Sequence, residues 1–254
     1  MKTIAFTNQK GGVGKTTSTI NVGAGLAREG FRVLLVDLDP QANLTYSLRL
    51  SSNRLENSIY NVLKGEMEAD EAIINHNDFD IMPSSIDLSG AEMEFANEPA
   101  REMLLKNKLS TLSKDYDYIL IDCPPNLGLL TLNAFTAVKE IFIVLQSEYL
   151  ALHGLSKLMD VIQVVKERLN PEIEISGIIC TLFDGRKNLN NEVVDHIQDY
   201  FGDKVFNTII RDNVALAEAP SHHKTIFEYA PDSYGAKDYK ALAQEIRNGQ
   251  LQHA

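Results

Sequence analysis

Gln9-Lys10-Gly11-Gly12-Val13-Gly14-Lys15-Thr16-Thr17 follows an apolar run, Thr3-Ile4-Ala5-Phe6-Thr7, and opens a helix-like stretch from Thr17 to Arg28. A strand, a glycine turn, a lysine, a hydroxyl and a helix in that order build a cradle for phosphate. Gly11, Gly12 and Gly14 let the backbone turn tightly and approach an anion without side-chain collision. The N–H groups of the turn, with those of Lys15, Thr16 and Thr17, can point inward at phosphate oxygens, and the helix N-terminus adds partial positive charge. On this reading Lys15 reaches the β- and γ-phosphates, the Thr16 hydroxyl binds Mg²⁺ and Thr17 hydrogen-bonds the α-phosphate. The ordinary phosphate loop has glycine five residues before Gly14. Here that position is Gln9, and a second cation, Lys10, stands next to it. One loop already holds one lysine, so a second is more useful in trans, across a dimer interface. The plainer alternative is a solvated loop cation.

A site for phosphoryl transfer also needs carboxylates, to hold metal-bound water and to orient the attacking water. Asp122 ends the apolar run Tyr118-Ile119-Leu120-Ile121 and precedes Cys123-Pro124-Pro125, the place of a Walker B aspartate. A carboxylate that merely caps the next helix is the alternative. Asp37 and Asp39 end another apolar run, two residues apart, so they share a face if the strand continues. Pro40 stiffens the exit from that run, and Gln41 adds a polar group.

Apolar runs alternate with helical patterns along the chain. Strands are expected at 2–8, 32–37, 78–82, 117–123, 140–146, 173–182 and 204–208, and helices at 16–29, 58–64, 99–114, 126–137, 150–169, 188–201 and 234–248. Segment 84–100, with Gly90, Asn97 and Pro99, reads as broken helix on the surface. Several strand candidates are apolar on both faces, which suits parallel strands covered on both sides. The expected fold is therefore α/β: a doubly wound, mainly parallel sheet with helices on both faces, as in P-loop NTPases. Sites in such sheets lie at the carboxyl ends of strands, where all these motifs fall. The 254 residues suffice for one large domain, expected to span 1–254 without a helix-turn-helix ahead of it.

Composition narrows the partners. The apolar fraction is 44% and the charged fraction 23%, those of an ordinary globule. No apolar run approaches the roughly 20 residues of a membrane span, and the N-terminus enters a strand at once, which argues against a signal peptide and for a cytoplasmic protein. Cys123 and Cys180 sit in apolar runs without CxxC or metal spacing and are expected as buried thiols. His153, His196, His222 and His223 also lack metal spacing. A net charge of −11 argues against nucleic acid as a partner but leaves room for a local basic face. Candidates for such a face, contacting phosphate without reading bases, are Arg186, Lys187, Arg211, Lys224 and Arg247, with Lys237 and Lys240.

Lys10-Gly11-Gly12-Val13-Gly14-Lys15-Thr16-Thr17 resembles the deviant Walker A motif of the ParA/MinD ATPase superfamily. Val33 to Gln41, Tyr118 to Pro125, and Asn213-Val214 followed by Glu218-Ala219-Pro220-Ser221 resemble its ParA/Soj branch of chromosome and plasmid partition. The similarity runs from about residue 2 to about residue 245. It implies an ATPase in which Lys10, Lys15 and Asp39 are catalytic, Lys10 acting across a nucleotide-sandwich homodimer and Asp39 positioning the hydrolytic water. It implies ATP held by Lys10, Gly11, Gly12, Val13, Gly14, Lys15, Thr16 and Thr17, and Mg²⁺ held by Thr16, Asp39 and Asp122. Asn213 and Pro220 would lie near the base. A turn-forming role for Asn213 is the alternative. It further implies a ParB/Spo0J-like protein that stimulates hydrolysis, and non-specific DNA bound by the ATP-bound dimer on the nucleoid. The family commonly has Ile-Pro-Arg-Asn-Val-Arg-Leu-Ser-Glu-Ala-Pro in the third region. Here Arg211 replaces the proline, and Asp212 and Ala215 replace two arginines, which puts DNA binding in doubt. A MinD-like membrane switch would need an amphipathic C-terminal helix, which Glu245 to Ala254 does not supply. Positioning of another protein cargo remains a rival, and an iron–sulfur carrier fails for want of paired cysteines.

Overall fold

The structure, a computed structural model, describes residues 1–50, 57–148 and 155–249. Its strands are β1 Lys2–Thr7, β2 Val33–Asp37, β3 Ile74–His76, β4 Phe79–Met82, β5 Tyr118–Asp122, β6 Glu140–Gln146 and β7 Glu174–Thr181. Its helices are α1 Lys15–Arg28, α2 Asn43–Ser47, α3 Ile59–Lys64, α4 Ala91–Glu94, α5 Leu104–Leu109, α6 Leu129–Ala137, α7 Leu155–Arg168, α8 Asn188–Phe201, α9 Val214–Glu218, α10 Ile226–Tyr229 and α11 Tyr234–Asn248. The strands form one sheet in the order β3-β4-β2-β5-β1-β6-β7, parallel throughout except for β3 at the edge. Chain order reverses on either side of β1, the topological switch point at which doubly wound sheets open a ligand crevice.

The side-chain period of two splits each central strand between two cores. Ile4, Phe6, Leu35 and Leu120 face α1, α10 and α11, where they meet Ile20, Leu26, Ile226, Tyr239 and Leu242. Ala5, Leu34, Val36, Ile119 and Ile121 face the opposite layer, with Leu105, Phe135, Leu158 and Ile197. The apolar runs are therefore buried on both sides, as parallel strands require. Helix α1 lies close against the sheet. A Cβ at Gly23 would stand 2.5 Å from Leu35 Cδ2, and one at Gly25 would stand 2.8 Å from Ala243 Cβ on α11.

Two expected elements differ. No strand forms at 204–208; residues 202–204 make a 3₁₀ turn, and the segment beyond touches β7 through an isolated parallel bridge, Ile178 to Val205. Phe206 there packs edge-on to Phe142 at 5.2 Å, over the bare Cα of Gly177, so burial of one aromatic rather than a full ladder made this stretch look like a strand. The helix expected at 99–114 is shorter, α5 preceded by a 3₁₀ turn at Arg101–Met103. The segment 84–100 is broken helix as expected, but Leu88, Ala91 and Phe95 are buried, so it is packed and not merely superficial. Strand β3, three residues long, was not expected. Residues 150–154 of the helix expected at 150–169 lie outside the described residues.

Candidate functional site

The phosphate loop joins β1 to α1. Gly12 and Gly14 both take positive φ, 75° and 91°, and Gly14 is the N-cap of α1. A side chain at either position would force a left-handed backbone that L-residues adopt only at a cost. The loop is anchored from outside. Asn8 donates through Nδ2 to the Val144 carbonyl at 2.6 Å, and its Oδ1 accepts from Lys10 N–H at 2.9 Å. The Thr181 hydroxyl, at the end of β7, lies 2.7 Å from the Val13 carbonyl and 3.1 Å from that of Leu145. Neither Asn8 nor Thr181 stands out in the sequence. Each is a single polar residue at a strand end, and its role depends on which strand is its neighbour.

Lys15 is buried, and its Nζ donates to the Lys10 carbonyl at 3.3 Å. Burial lowers its pKa, against the attraction of Asp122 and Asp39. Thr16 donates its hydroxyl proton to Asp122 Oδ2 at 2.6 Å. Asp122 is fully buried, and among the described residues its Oδ1 has no hydrogen-bond partner. Burial, and then the charge of Asp37, push its pKa well above the ordinary carboxylate value; the Thr16 hydroxyl and Lys15 oppose the shift. A buried oxygen with no donor, next to a lysine and a threonine hydroxyl, suits a cation bound partly through water. No group of three His, Cys, Asp or Glu among the described residues could hold an ion alone. Mg²⁺ keeps waters and phosphate oxygens as ligands and needs few protein groups. Thr16 and Asp122 therefore fit the metal, with Asp39 nearby.

Asp37 and Asp122 are register partners on adjacent strands. Asp37 is fully buried, and burial raises its pKa to about 7 despite two hydrogen bonds from Thr45. Thr45 donates both its N–H, at 2.9 Å, and its hydroxyl, at 2.6 Å, to Asp37 Oδ2. Asp37 Oδ1 accepts from the Asp39 N–H at 3.3 Å. Asp37 is thus committed to the backbone of the loop that follows it. Asp39 Oδ1 accepts from Gln41 N–H at 2.9 Å, and among the described residues Oδ2 has no such contact. Thr45 and Ser84, the residues that complete this arrangement, were not visible in the sequence. Ser84 lies 45 positions from Asp39 and meets it because β4 pairs with β2.

Lys10 is engaged at the end of β6. Its Nζ donates to Gln146 Oε1 at 3.0 Å and to Glu148 Oε2 at 2.9 Å, both half-exposed groups at the end of β6. Asn213 is the N-cap of α9, its Oδ1 accepting from Ala215 N–H at 3.0 Å, so the turn-forming alternative describes its contacts here. Pro220 opens the following 3₁₀ turn. This loop lies along the carboxyl end of β7: Phe183 N–H donates to the Ile210 carbonyl, and Asp212 N–H to that of Phe183. Asn213 and the phosphate loop therefore both lie at the carboxyl ends of the strands.

The basic candidates are mostly paired. Arg186 forms a two-pronged pair with Asp184, at 2.8 and 2.9 Å, and Lys187 lies 3.9 Å from the same residue. Arg211 is paired with Asp238 and lies over the Tyr234 ring at 4.1 Å. Arg247 holds Glu29 at 2.6 Å. Lys224, Lys237 and Lys240 pair with no carboxylate among the described residues, and Lys237 lies over the Tyr234 ring at 5.7 Å. His222 stacks on Tyr229 at 4.8 Å, and His223 Nδ1 lies 3.0 Å from the Tyr46 carbonyl; neither approaches a metal-ligand set. His153 lies outside the described residues. Among the described residues no helix is long and apolar enough to cross a membrane.

Comparison with known proteins completes the picture. Residues 1–175 match the model of an AAA domain family. Residues 99–253 match that of the 4Fe-4S iron sulfur cluster binding proteins of the NifH/frxC family. Cys123 and Cys180 do not form a cluster site here: both are buried free thiols, and the strands that lead to them, β5 and β7, are separated by β1 and β6. The chain is 46% identical over 247 residues to the sporulation initiation inhibitor protein Soj of Bacillus subtilis, covering 96% of this chain and 98% of that one. It is 49% identical over 254 residues to the chromosome-partitioning ATPase Soj of Treponema pallidum, covering 98% and 99%. Among solved structures, a cobyrinic acid a,c-diamide synthase of Mycobacterium smegmatis with bound ATP analogue and magnesium matches with a TM-score of 0.88 at 34% identity, covering 100% of this chain and 97% of that one. With this degree of identity across almost its full length, the chain belongs to the Soj/ParA family of chromosome-partitioning P-loop ATPases.

Proposed function

We propose that this protein is an ATPase of chromosome or plasmid partition, hydrolysing ATP to ADP and phosphate with Mg²⁺. The observation that carries the reading is the Thr16–Asp122 contact of 2.6 Å beside a buried carboxylate oxygen of Asp122 that has no donor among the described residues, next to a glycine turn. The relatives named as Soj and the related structure with bound ATP analogue and magnesium support it. The N–H groups of Gly11 to Thr17 and the Lys15 ammonium bind the phosphate chain. Thr16 and Asp122 would hold Mg²⁺, which when bound neutralises charge on the phosphate oxygens. Asp39, with one carboxylate oxygen that has no hydrogen-bond partner among the described residues, orients the attacking water. Asn213 and Pro220 lie toward the base.

Lys10 acts from the partner of an ATP-dependent homodimer. To do so it must leave Glu148 and Gln146, an exposed pair that costs little to break. The ATP-bound dimer holds DNA through phosphate contacts on the nucleoid, and a ParB/Spo0J-like protein triggers hydrolysis and release. Arg186, Lys187, Arg211 and Arg247 would have to exchange carboxylate partners for phosphate, so Lys224, Lys237 and Lys240, which have no carboxylate partner among the described residues, are the readier contacts.

Lys15→Ala tests the site. ATP turnover should fall by about 10²-fold or more, because one preorganised donor to the transferring group is lost. Unchanged turnover would mean that the glycine turn is not where ATP is hydrolysed.

A further inference from the structure

We infer that Ser84 is a positioning residue for hydrolysis, acting through the backbone of Asp39. The inference rests on the proposed role of Asp39. Ser84 lies two residues beyond β4 and is fully buried. Its hydroxyl donates to the Asp39 carbonyl at 2.8 Å. Its N–H donates to the Thr45 hydroxyl at 2.9 Å, and that hydroxyl donates in turn to Asp37 Oδ2. Asp37 in turn accepts from the Asp39 N–H. The Asp39 residue is therefore gripped at both ends, its N–H by Asp37 and its C=O by Ser84 together with the Ala42 N–H of its own loop, while Oδ2 of its carboxylate has no hydrogen-bond partner among the described residues.

That arrangement has a physical purpose. Asp39 lies beyond the end of β2, where the ladder no longer fixes the chain, and Ala42 just after it takes φ 53°. The bonds from Ala42 N–H to the Asp39 carbonyl, at 2.8 Å, and from Gln41 N–H to its carboxylate come from the loop itself and would move with it, and a shift of about 1 Å in a group that orients a nucleophile is enough to cost 10²-fold in rate. The Ser84 hydroxyl supplies a fixed point from a different strand. The loop carrying Ser84 is itself pinned, by Ile59 N–H donating to the Pro83 carbonyl at 2.8 Å and by the Ser58 hydroxyl to that of Ser85 at 3.3 Å. Ser84 touches none of the phosphate-loop residues through a hydrogen bond among the described residues, so its influence on turnover runs through Asp39 and not through nucleotide binding.

The experiment uses the full chain with Mg²⁺, reading steady-state ATP hydrolysis and, separately, affinity for a fluorescent N-methylanthraniloyl ATP. Ser84→Ala should lower kcat about tenfold and leave nucleotide affinity within twofold. Ser84→Thr, which keeps the hydroxyl, should return kcat to within about threefold of the parent. In an Asp39→Ala background, Ser84→Ala should have no further effect. A kcat unchanged by Ser84→Ala overturns the inference. So does a parallel loss of nucleotide affinity, or a multiplicative loss in the double variant, since each would place Ser84 outside the Asp39 path. If Ser84→Ala does not fold, Ser84→Cys, of similar size and a weaker donor, carries the same expectations. Turnover that requires Lys15 but ignores Ser84 sinks only this inference; turnover that ignores Lys15 sinks the proposed site, and Ser84 with it.

Discussion

Asp80 and Asp122 are both buried carboxylates, on the strands that flank β2 on its two sides, and the fold treats them in opposite ways. Asp80 is surrounded by donors. Asn75 Nδ2 reaches its Oδ1 at 2.8 Å, and Tyr116 Oη reaches its Oδ2 at 2.7 Å, where the Lys114 ammonium also lies. Burial pushes its pKa up, but Lys114, Asn75 and Tyr116 outweigh burial and hold it below the ordinary value. Asp122 has one hydroxyl on one oxygen and, among the described residues, no hydrogen-bond partner on the other, and burial with Asp37 beside it drives its pKa well up. A chain selected only to fold would satisfy both. The carboxylate satisfied from within serves the structure, and the one left short is reserved for something that arrives.

Replacing each by its amide should separate the two roles. Asp122→Asn should show the largest effect, a fall in ATP turnover of about 10²-fold, because the oxygen left for the cation becomes half of an amide. The same change should leave the thermal midpoint of the nucleotide-free protein unchanged or higher, since the uncompensated buried charge is gone. Asp80→Asn should do the reverse. Turnover per folded molecule should stay within twofold, while denaturant titration at pH 7 should show a loss of about 2 kcal/mol, the scale of hydrogen bonds to a charged group. If Asp122→Asn destabilises the nucleotide-free protein as much as Asp80→Asn, the contrast between them is wrong.

The contrast also explains what was legible in the sequence. The phosphate loop, Asp37, Asp39 and Asp122 could be read because each lies at the end of an apolar run, within a few residues of its local context. The parallel sheet followed from strands apolar on both faces. Thr45 and Ser84 were not legible, because their partners are fixed by β4 lying beside β2, a fact of strand order and not of spacing. The same holds for the basic candidates. Arg211 is a candidate for a basic face by sequence, but Asp238 on α11, 27 residues away, pairs with it. The strand expected at 204–208 failed for a related reason: Phe206 is apolar because it covers Gly177 beside Phe142, not because it belongs to a ladder.

Titration sharpens the comparison from the structural side. Asp80 has a lower pKa folded than the ordinary 3.8, so the unfolded chain binds the extra proton. Its contribution to stability is fully present above that value and is lost as pH falls through the folded one. The stability gap between the parent and Asp80→Asn should therefore be constant from about pH 5 to 7 and shrink below about pH 4. Denaturant midpoints measured for both proteins across that range check it. A gap that widens on acidification would mean that the donors around Asp80 do not favour its ionised form.

A third carboxylate bounds the comparison from below. Glu172 pairs with Lys139 at 2.9 Å, a contact as short as many in the core, but both side chains are about two-thirds exposed at 66%. Its pKa is held down by the hydrogen bond to Lys139 and the same ammonium's charge. In solvent, most of what the pair gains is offset by ordering two long side chains and by lost hydration. Lys139→Ala should therefore move the thermal midpoint by no more than about 2 °C, the smallest effect predicted here. It should leave ATP turnover unchanged, since Lys139 lies at the amino end of β6, away from the phosphate loop. A fall of more than about 5 °C would show that proximity alone stabilises a pair, and that burial is not what separates Asp80 from Glu172.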